Sequence, residues 1–139
     1  MRIMAIDYGD AHTGIAISDP TGFLTGFTTV INAYRPEAVA EQVASLAREH
    51  GAEELVLGHP INMDGTRGPR SEKAQAMKAL LEETTSLPVV LWDERRTTID
   101  AHQILFNSGK NAKKRKKVVD AVAASLILEG YLTYKKSHP

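Results

Sequence analysis

The fold is decided between Arg2 and Ser18, where the chain reads RIMAIDYGDAHTGIAIS. Arg2 to Asp7 is almost entirely apolar, which predicts a strand that is covered on both faces. A polar turn around Gly9 follows, and His12 to Ser18 reads as a second strand. Two strands joined by so short a turn are expected to pair as an antiparallel hairpin.

Beyond this hairpin, Phe23 to Ile31 is predicted to be a third strand, and strands then alternate with helices. Pro36 suits the first turn of a helix that Gly51 ends, and Ser71 is expected to cap a second helix. The further predicted elements are strands at Glu54–Gly58 and Val89–Trp92, a loop at His59–Arg70, a short helix from Thr97 or Thr98 through Phe106, and a final helix from Val118 to about Tyr134. This order predicts an α/β fold with a mixed five-stranded sheet and helices on both faces.

Length and composition are those of one globular domain, residues 1–139. The chain has 42% hydrophobic and 24% charged residues and no cysteine, which excludes a disulfide scaffold, a thiolate metal site and a cysteine nucleophile. No apolar run is long enough to span a bilayer, and the first residues turn acidic too soon for a signal peptide. We therefore expect a cytoplasmic protein with no membrane contact.

Charge is segregated along the chain although the net charge is zero. Six of the 17 basic residues lie between Lys110 and Lys117, so the other 131 residues carry 11 basic against 17 acidic side chains. A concentrated basic segment on an otherwise acidic chain indicates a polyanionic partner that is contacted at one place. Nucleic acid is the partner that we expect, although a merely solvated face is the alternative.

Three carboxylates occur where burial makes a charge expensive. Asp7 ends the first strand on the face of Ile3 and Ala5, and Glu94 follows the last strand on the face of Val90 and Trp92. Asp120 lies in a final helix that is apolar almost all round.

Each carboxylate also has a structural explanation. Asp7 is explained as a turn residue, Asp120 as a favourable charge early in a helix, and Glu94 as the ion-pair partner of Arg95 or Arg96. Asp93, which precedes Glu94, remains an alternative ligand. Convergence is the stronger account, because the carboxyl ends of parallel strands gather at one edge of an α/β sheet.

Clustered carboxylates stay ionised only beside strong cations, and oxygen ligands select Mg²⁺ or Mn²⁺ over zinc. Such ions support in-line hydrolysis of a phosphodiester. A metal-dependent nuclease also agrees with the basic segment, which would hold the nucleic-acid backbone.

Four stretches resemble the motifs of the bacterial YqgF/RuvX family, and the resemblance covers nearly the whole chain. They run from Asp7 to Asp19 (DYGDAHTGIAISD), from Gly58 to Thr66 (GHPINMDGT), from Asp93 to Ala101 (DERRTTIDA) and from Asp120 to Leu128 (DAVAASLIL). The resemblance implies an RNase H-like fold related to Holliday-junction resolvases. It also implies a divalent-metal endonuclease that processes the 5′ end of pre-16S rRNA, with Asp7, Glu94 and Asp120 in the catalytic and metal-binding positions.

One position departs from that family. His12 stands where the family usually has a basic residue, often Arg, so phosphate binding there is expected to be weaker and pH-dependent. The other predicted substrate-binding residues are Arg95, Arg96, Lys113, Lys114, Arg115, Lys116 and Lys117.

Three alternatives stay open from the sequence. The first is a Holliday-junction resolvase acting on DNA, and the second is a non-catalytic RNA-binding factor of ribosome assembly. The third is an actin-like ATPase, suggested by the Asp7–Gly9 loop but disfavoured because such proteins use two large domains. The expected assembly is a monomer or a weak homodimer, since a resolvase would require a symmetric dimer.

Overall fold

The computed structural model describes residues 1–60, 65–93 and 112–138, with the backbone but not the side chains of 112–120. In this part of the chain there are five strands and three helices. In chain order they are β1 (Arg2–Asp7), β2 (His12–Ser18), β3 (Thr25–Asn32), α1 (Pro36–His50), β4 (Ala52–His59), α2 (Pro69–Thr85), β5 (Val89–Asp93) and α3 (Ala112–Ser137). The predicted short helix between Thr97 and Phe106 lies outside the described residues.

The five strands form one mixed sheet in the order β3-β2-β1-β4-β5. Strand β1 pairs antiparallel with β2, where Asp7 faces Gly14, and β2 pairs antiparallel with β3. On its other side β1 pairs parallel with β4, which in turn pairs parallel with β5. The prediction of a mixed sheet with an antiparallel start is therefore confirmed.

Alternation along β1 divides the core into two layers. Met4 and Ile6 belong to a cluster with residues of α1 and α2, such as Val43 and Leu81. Ile3 and Ala5 point the other way and belong to a second cluster with residues of α3. Full burial of each large aliphatic side chain contributes about 1.5–3 kcal/mol, so both layers hold the sheet. Helices on both faces were predicted, and the structure confirms them.

Helix α3 extends further toward the N-terminus than the sequence indicated. A start at Val118 was predicted, but the helix begins at Ala112, so Lys113–Lys117 lie in its first turns. Lys and Arg are good helix formers, which offsets the unfavourable positive charge at a helix N-terminus. At its other end Lys135 Nζ lies 3.2 Å from Glu54 Oε1 of β4, which fixes the helix to the sheet.

Two element boundaries also differ from the prediction. The helix α2 begins at Pro69 after Gly68, so Ser71 is inside the helix and fully buried, not a cap. The fixed φ of proline suits that first position. Strand β3 was predicted from Phe23 but starts at Thr25, because the Asp19 carboxylate accepts hydrogen bonds from the Gly22 and Phe23 amides and holds a turn.

Among the helices in the described part of the chain, none combines the length with the apolarity that crossing a bilayer requires.

Candidate active site

The carboxyl ends of β1, β4 and β5 meet at one edge of the sheet, which we call the catalytic edge. Asp7 ends β1 and Asp93 ends β5, and both side chains are half-buried. The strands are parallel, and β4 lies between them, so about two strand spacings, roughly 10 Å, separate β1 from β5. Glu94 is the next residue after Asp93 and lies outside the described residues, as do Arg95 and Arg96.

The two described aspartates lie on opposite faces of the sheet. Asp7 continues the alternation of Ile3 and Ala5, which pack against α3. Val90 and Trp92 of β5 belong to the same layer, whereas Val89 and Leu91 belong to the layer of α1 and α2. Asp93 therefore shares the face of α2, next to His59 with which it is in register.

Helix α3 covers the face of Asp7. Ala124 and Ile127 are fully buried there, and position 120 precedes Ala124 by one helical turn. The side chain of Asp120 lies outside the described part, and so do those of Lys113–Lys117. The structure thus describes the backbone of this helix along its whole length but not the carboxylate or the cations that the sequence predicts there.

The residues present are compatible with a hard divalent cation. Asp7, Glu94 and Asp120 offer only oxygen donors, which suit Mg²⁺ or Mn²⁺. Among the residues whose side chains the structure describes, no group of three carboxylates or imidazoles is close enough to hold an ion. Two of the three predicted ligands, Glu94 and Asp120, lie outside that group of residues.

His12, predicted to contact substrate, opens β2 at the catalytic edge and is tied to the neighbouring strand. Its Nδ1 lies 2.7 Å from the Asn32 side-chain oxygen in a solvent-exposed hydrogen bond. The acceptor amide oxygen orients the ring with a proton on Nδ1.

Gly9 lies in the turn before His12. The backbone explains why this residue is a glycine, because a Cβ at position 9 would clash with the His12 carbonyl oxygen across the turn.

A buried network at the end of β4 was not recognised in the sequence as such. His59 was predicted to open a loop, but it is the last residue of β4 and is 6% exposed. Its Nε2 lies 2.6 Å from Ser71 Oγ, which also accepts a hydrogen bond from Gln75 Nε2. The pKa of His59 is lowered, first by burial and then by the charge of Arg67, and the carboxylate of Asp93 opposes that shift.

A cavity of about 520 Å³ opens beside the β1–β2 turn, on the face opposite α3. Tyr8, Tyr34 and Lys73 line it, together with apolar side chains of α2. This cavity has no signature in the sequence, because its walls come from residues that are far apart in the chain. The only local signal is that Tyr8 directly follows the candidate catalytic Asp7.

Comparison with known proteins agrees with this architecture. A relative from Halothermothrix orenii, which bears the provisional name pre-16S rRNA nuclease, is 44% identical over 135 residues, covering 97% of this chain and 96% of its own. A relative from Bacillus subtilis with the same name is 42% identical over 134 residues, covering 95% of this chain and 97% of its own.

Among solved structures, Thermus thermophilus RuvC in complex with a Holliday-junction substrate aligns with a TM-score of 0.62 at 13% identity, covering 98% of this chain and 96% of that one. At that identity the similarity shows the fold, which is RNase H-like as predicted. The model of the RuvX family, described as Holliday junction resolvase, matches residues 1–134. The chain belongs to the RuvX family, and its enzyme class is that of a nuclease, a hydrolase of phosphodiester bonds.

Proposed function

We propose that this protein is a divalent-metal-dependent endonuclease that cuts structured RNA, with the 5′ end of pre-16S rRNA as its substrate. The observation that carries the proposal is the position of Asp7, at the carboxyl edge of parallel strands and on the face that α3 covers. The name shared by the two relatives supports the choice of RNA.

In this proposal Asp7, Glu94 and Asp120 hold Mg²⁺ or Mn²⁺. Asp7 and Trp92 lie on the α3 face, and continued alternation beyond the end of β5 would give that face to position 94 as well. Position 120 is one helical turn before Ala124, so the two positions lie on the same side of α3. Bound metal would supply activation of water and stabilisation of the leaving oxygen. Of these ligands, Asp7 is fixed at the end of β1 and is half-buried on the face that α3 covers, which limits the access of bulk water.

We assign substrate binding to basic side chains near the catalytic edge. Lys113, Lys114, Arg115, Lys116 and Lys117 occupy the first turns of α3, next to position 120, and would neutralise backbone phosphates. Arg95 and Arg96 follow Glu94 directly, so their guanidinium groups are suited to phosphate oxygens at the same place. His12 is the weaker member of this set, because its ring is already engaged by Asn32.

We further propose that residues 1–139 act as one domain, that the enzyme works in the cytoplasm without a membrane, and that it acts as a monomer or a weak homodimer. Cutting one strand requires no symmetry, whereas resolving a four-way junction requires paired sites.

A Holliday-junction resolvase is the second candidate, and the family description together with the RuvC alignment favours it. It uses the same chemistry on DNA and differs in the symmetry that it requires. A non-catalytic RNA-binding factor is the remaining alternative and differs in chemistry.

One assay separates the three. Labelled pre-rRNA, single-stranded RNA and a four-way DNA junction are incubated with the protein, with and without Mn²⁺, beside Asp7→Asn and the control Glu41→Gln, an exposed carboxylate on α1. We expect metal-dependent cutting of pre-rRNA that Asp7→Asn abolishes and Glu41→Gln retains. Preferred cutting of the junction would favour the resolvase, and RNA binding without cutting would favour the binding factor. Normal cutting by Asp7→Asn would show that the proposed site is wrong.

A further inference from the structure

The cavity beside the β1–β2 turn has the composition of a site for a flat aromatic ligand. Tyr8 and Tyr34 line it, and Met77 and Leu80 of α2 add apolar surface. Tyr34 is 81% exposed, which is unusual for so large a side chain and leaves its ring available for contact. The cavity volume of about 520 Å³ lies within the range of ordinary small-ligand sites, about 300–1,000 Å³.

Two carboxylates also line the cavity. Asp10 lies in the β1–β2 turn, and Glu37 lies in the first turn of α1. Asp10 is ion-paired with Lys73, whose Nζ is 3.1 Å from its Oδ1, and the hydrogen bond and charge of Lys73 lower the pKa of Asp10. Carboxylate oxygens accept hydrogen bonds, so a ligand with amino groups along one edge would suit Asp10 and Glu37.

We propose that this cavity binds an unstacked nucleobase of the RNA, close to the bond that is cut. A nucleobase offers a flat π-face to the tyrosine rings and amino donors to the carboxylates, which is how single-stranded RNA is commonly bound. The inference rests on the proposed function, because it takes RNA as the substrate. It adds a base-binding site outside the carboxylate and phosphate contacts described above.

A second, smaller cavity of about 10 Å³ adjoins this one at the carboxyl end of β4. It shares Tyr8, Asp10 and Lys73 with the larger one and is also lined by Gly58 of β4 and by Arg70. Arg70 adds a positive charge there, beside the Asp10–Lys73 ion pair, and is suited to contact a phosphate group. A nucleotide chain could thus run from the catalytic edge past these cations, with its base in the tyrosine-lined cavity.

The distance to the catalytic edge is short along the protein backbone. Tyr8 directly follows Asp7, so their Cα atoms are about 3.8 Å apart. The side chain of Asp7 belongs to the α3 face, whereas Tyr8 packs against the layer of α1 and α2. Asp7 and Tyr8 therefore lie at the same strand end on opposite faces of the sheet, so a bound nucleic-acid strand would have to pass around this end of β1 to contact both.

Binding of a short single-stranded RNA is the direct test, measured by fluorescence anisotropy in EDTA so that no cutting occurs. Loss of one base stack corresponds to about 1–3 kcal/mol, so Tyr34→Ala is expected to weaken binding at least about 5-fold. Tyr34→Phe should bind as the unchanged protein does. The matched control is Phe23→Ala, which removes a 58% exposed ring from the β2–β3 turn at the opposite edge of the sheet.

Position specificity separates a base site from a general loss of affinity. RNAs with a single abasic nucleotide at successive positions should reveal one position that weakens binding to the unchanged protein but not to Tyr34→Ala. Equal affinity of Tyr34→Ala and the unchanged protein, or no sensitive position, would overturn the base site even if the enzyme cuts RNA. Conversely, normal cutting by Asp7→Asn would refute the proposed catalytic site without affecting this binding result.

Discussion

Gly130 of α3 faces Trp92 of β5 so closely that a Cβ at position 130 would lie 3.2 Å from Trp92 Cζ2. Movement of the indole away from position 130 is restricted, because Tyr131 and Tyr134 each make an edge-to-face contact with it at 5.9 Å between ring centroids. The contact joins α3 to the strand that leads into Glu94. It therefore fixes the relative position of α3, which contains position 120, and β5, which ends one residue before position 94.

Gly130→Ala is expected to lower the free energy of unfolding by about 1 kcal/mol. Overpacking of a well-filled site costs about 1–3 kcal/mol, and replacing a helical glycine by alanine returns only about 1 kcal/mol. Urea denaturation measures the change. In a Trp92→Phe background, which removes Cζ2 and Nε1, the same substitution should be neutral or stabilising. A loss of equal size in both backgrounds would contradict the contact.

The buried His59 predicts a specific loss of stability in acid. Its pKa in the folded protein is lower than its ordinary value of 6.5, because it is buried. As the pH falls, His59 therefore takes up a proton in the unfolded chain before it does so in the folded protein. The contribution of neutral His59 to the free energy of unfolding is complete above pH 6.5 and decreases as the pH falls toward the folded-state pKa.

Denaturation of His59→Gln and the unchanged protein between pH 7.5 and pH 5 measures this effect. The difference in stability between the two should narrow as the pH falls. Parallel pH profiles for His59→Gln and the unchanged protein would show that His59 does not titrate as stated.

The basic first turns of α3 are expected to act in RNA binding and not in folding. Replacing Lys113, Lys114 and Lys116 by Gln should reduce the slope of log affinity against log salt by about 2, because each phosphate contact on a single strand contributes about 0.7. The melting temperature should stay constant or rise, since positive charge at a helix N-terminus opposes the dipole.

The matched control removes three cations elsewhere, by Arg48→Gln, Lys78→Gln and Lys136→Gln. It has the same net charge and should keep the original salt slope. Equal slopes for the two triple variants would mean that net charge alone, and not this segment, attracts RNA.

Substitutions of the adjacent residues Glu94 and Asp93 are expected to have very different effects on the rate of RNA cutting. Asp93 lies on the face of His59, away from Asp7, so Asp93→Asn should keep most of the activity. Glu94→Gln should lower the rate at saturating Mn²⁺ by about 100-fold or more, as the loss of a charge-stabilising group at an active site does. Initial rates of RNA cutting compare them, and a greater loss for Asp93→Asn would transfer the ligand role to Asp93.

The sheet could be predicted from the sequence because each strand carries its own signal. The alternation of Ile3 and Met4 in β1, and the turn around Gly9, reflect local rules of side-chain direction and backbone sterics. The start of α2 was predicted incorrectly because Ser71 is a good cap by composition, while Pro69 gave the stronger positional signal. The tyrosine-lined cavity was not predictable, because Tyr8 and Tyr34 approach only through the pairing of β1, β2 and β3.

The central claim is that Asp7, Glu94 and Asp120 together hold divalent metal, and a crystal soaked in Mn²⁺ tests it most directly. We expect anomalous density for Mn²⁺ in contact with carboxylate oxygens of all three residues, and its loss in Asp7→Asn. Carboxylates too far apart to share an ion, or Mn²⁺ bound at another place, would contradict the claim.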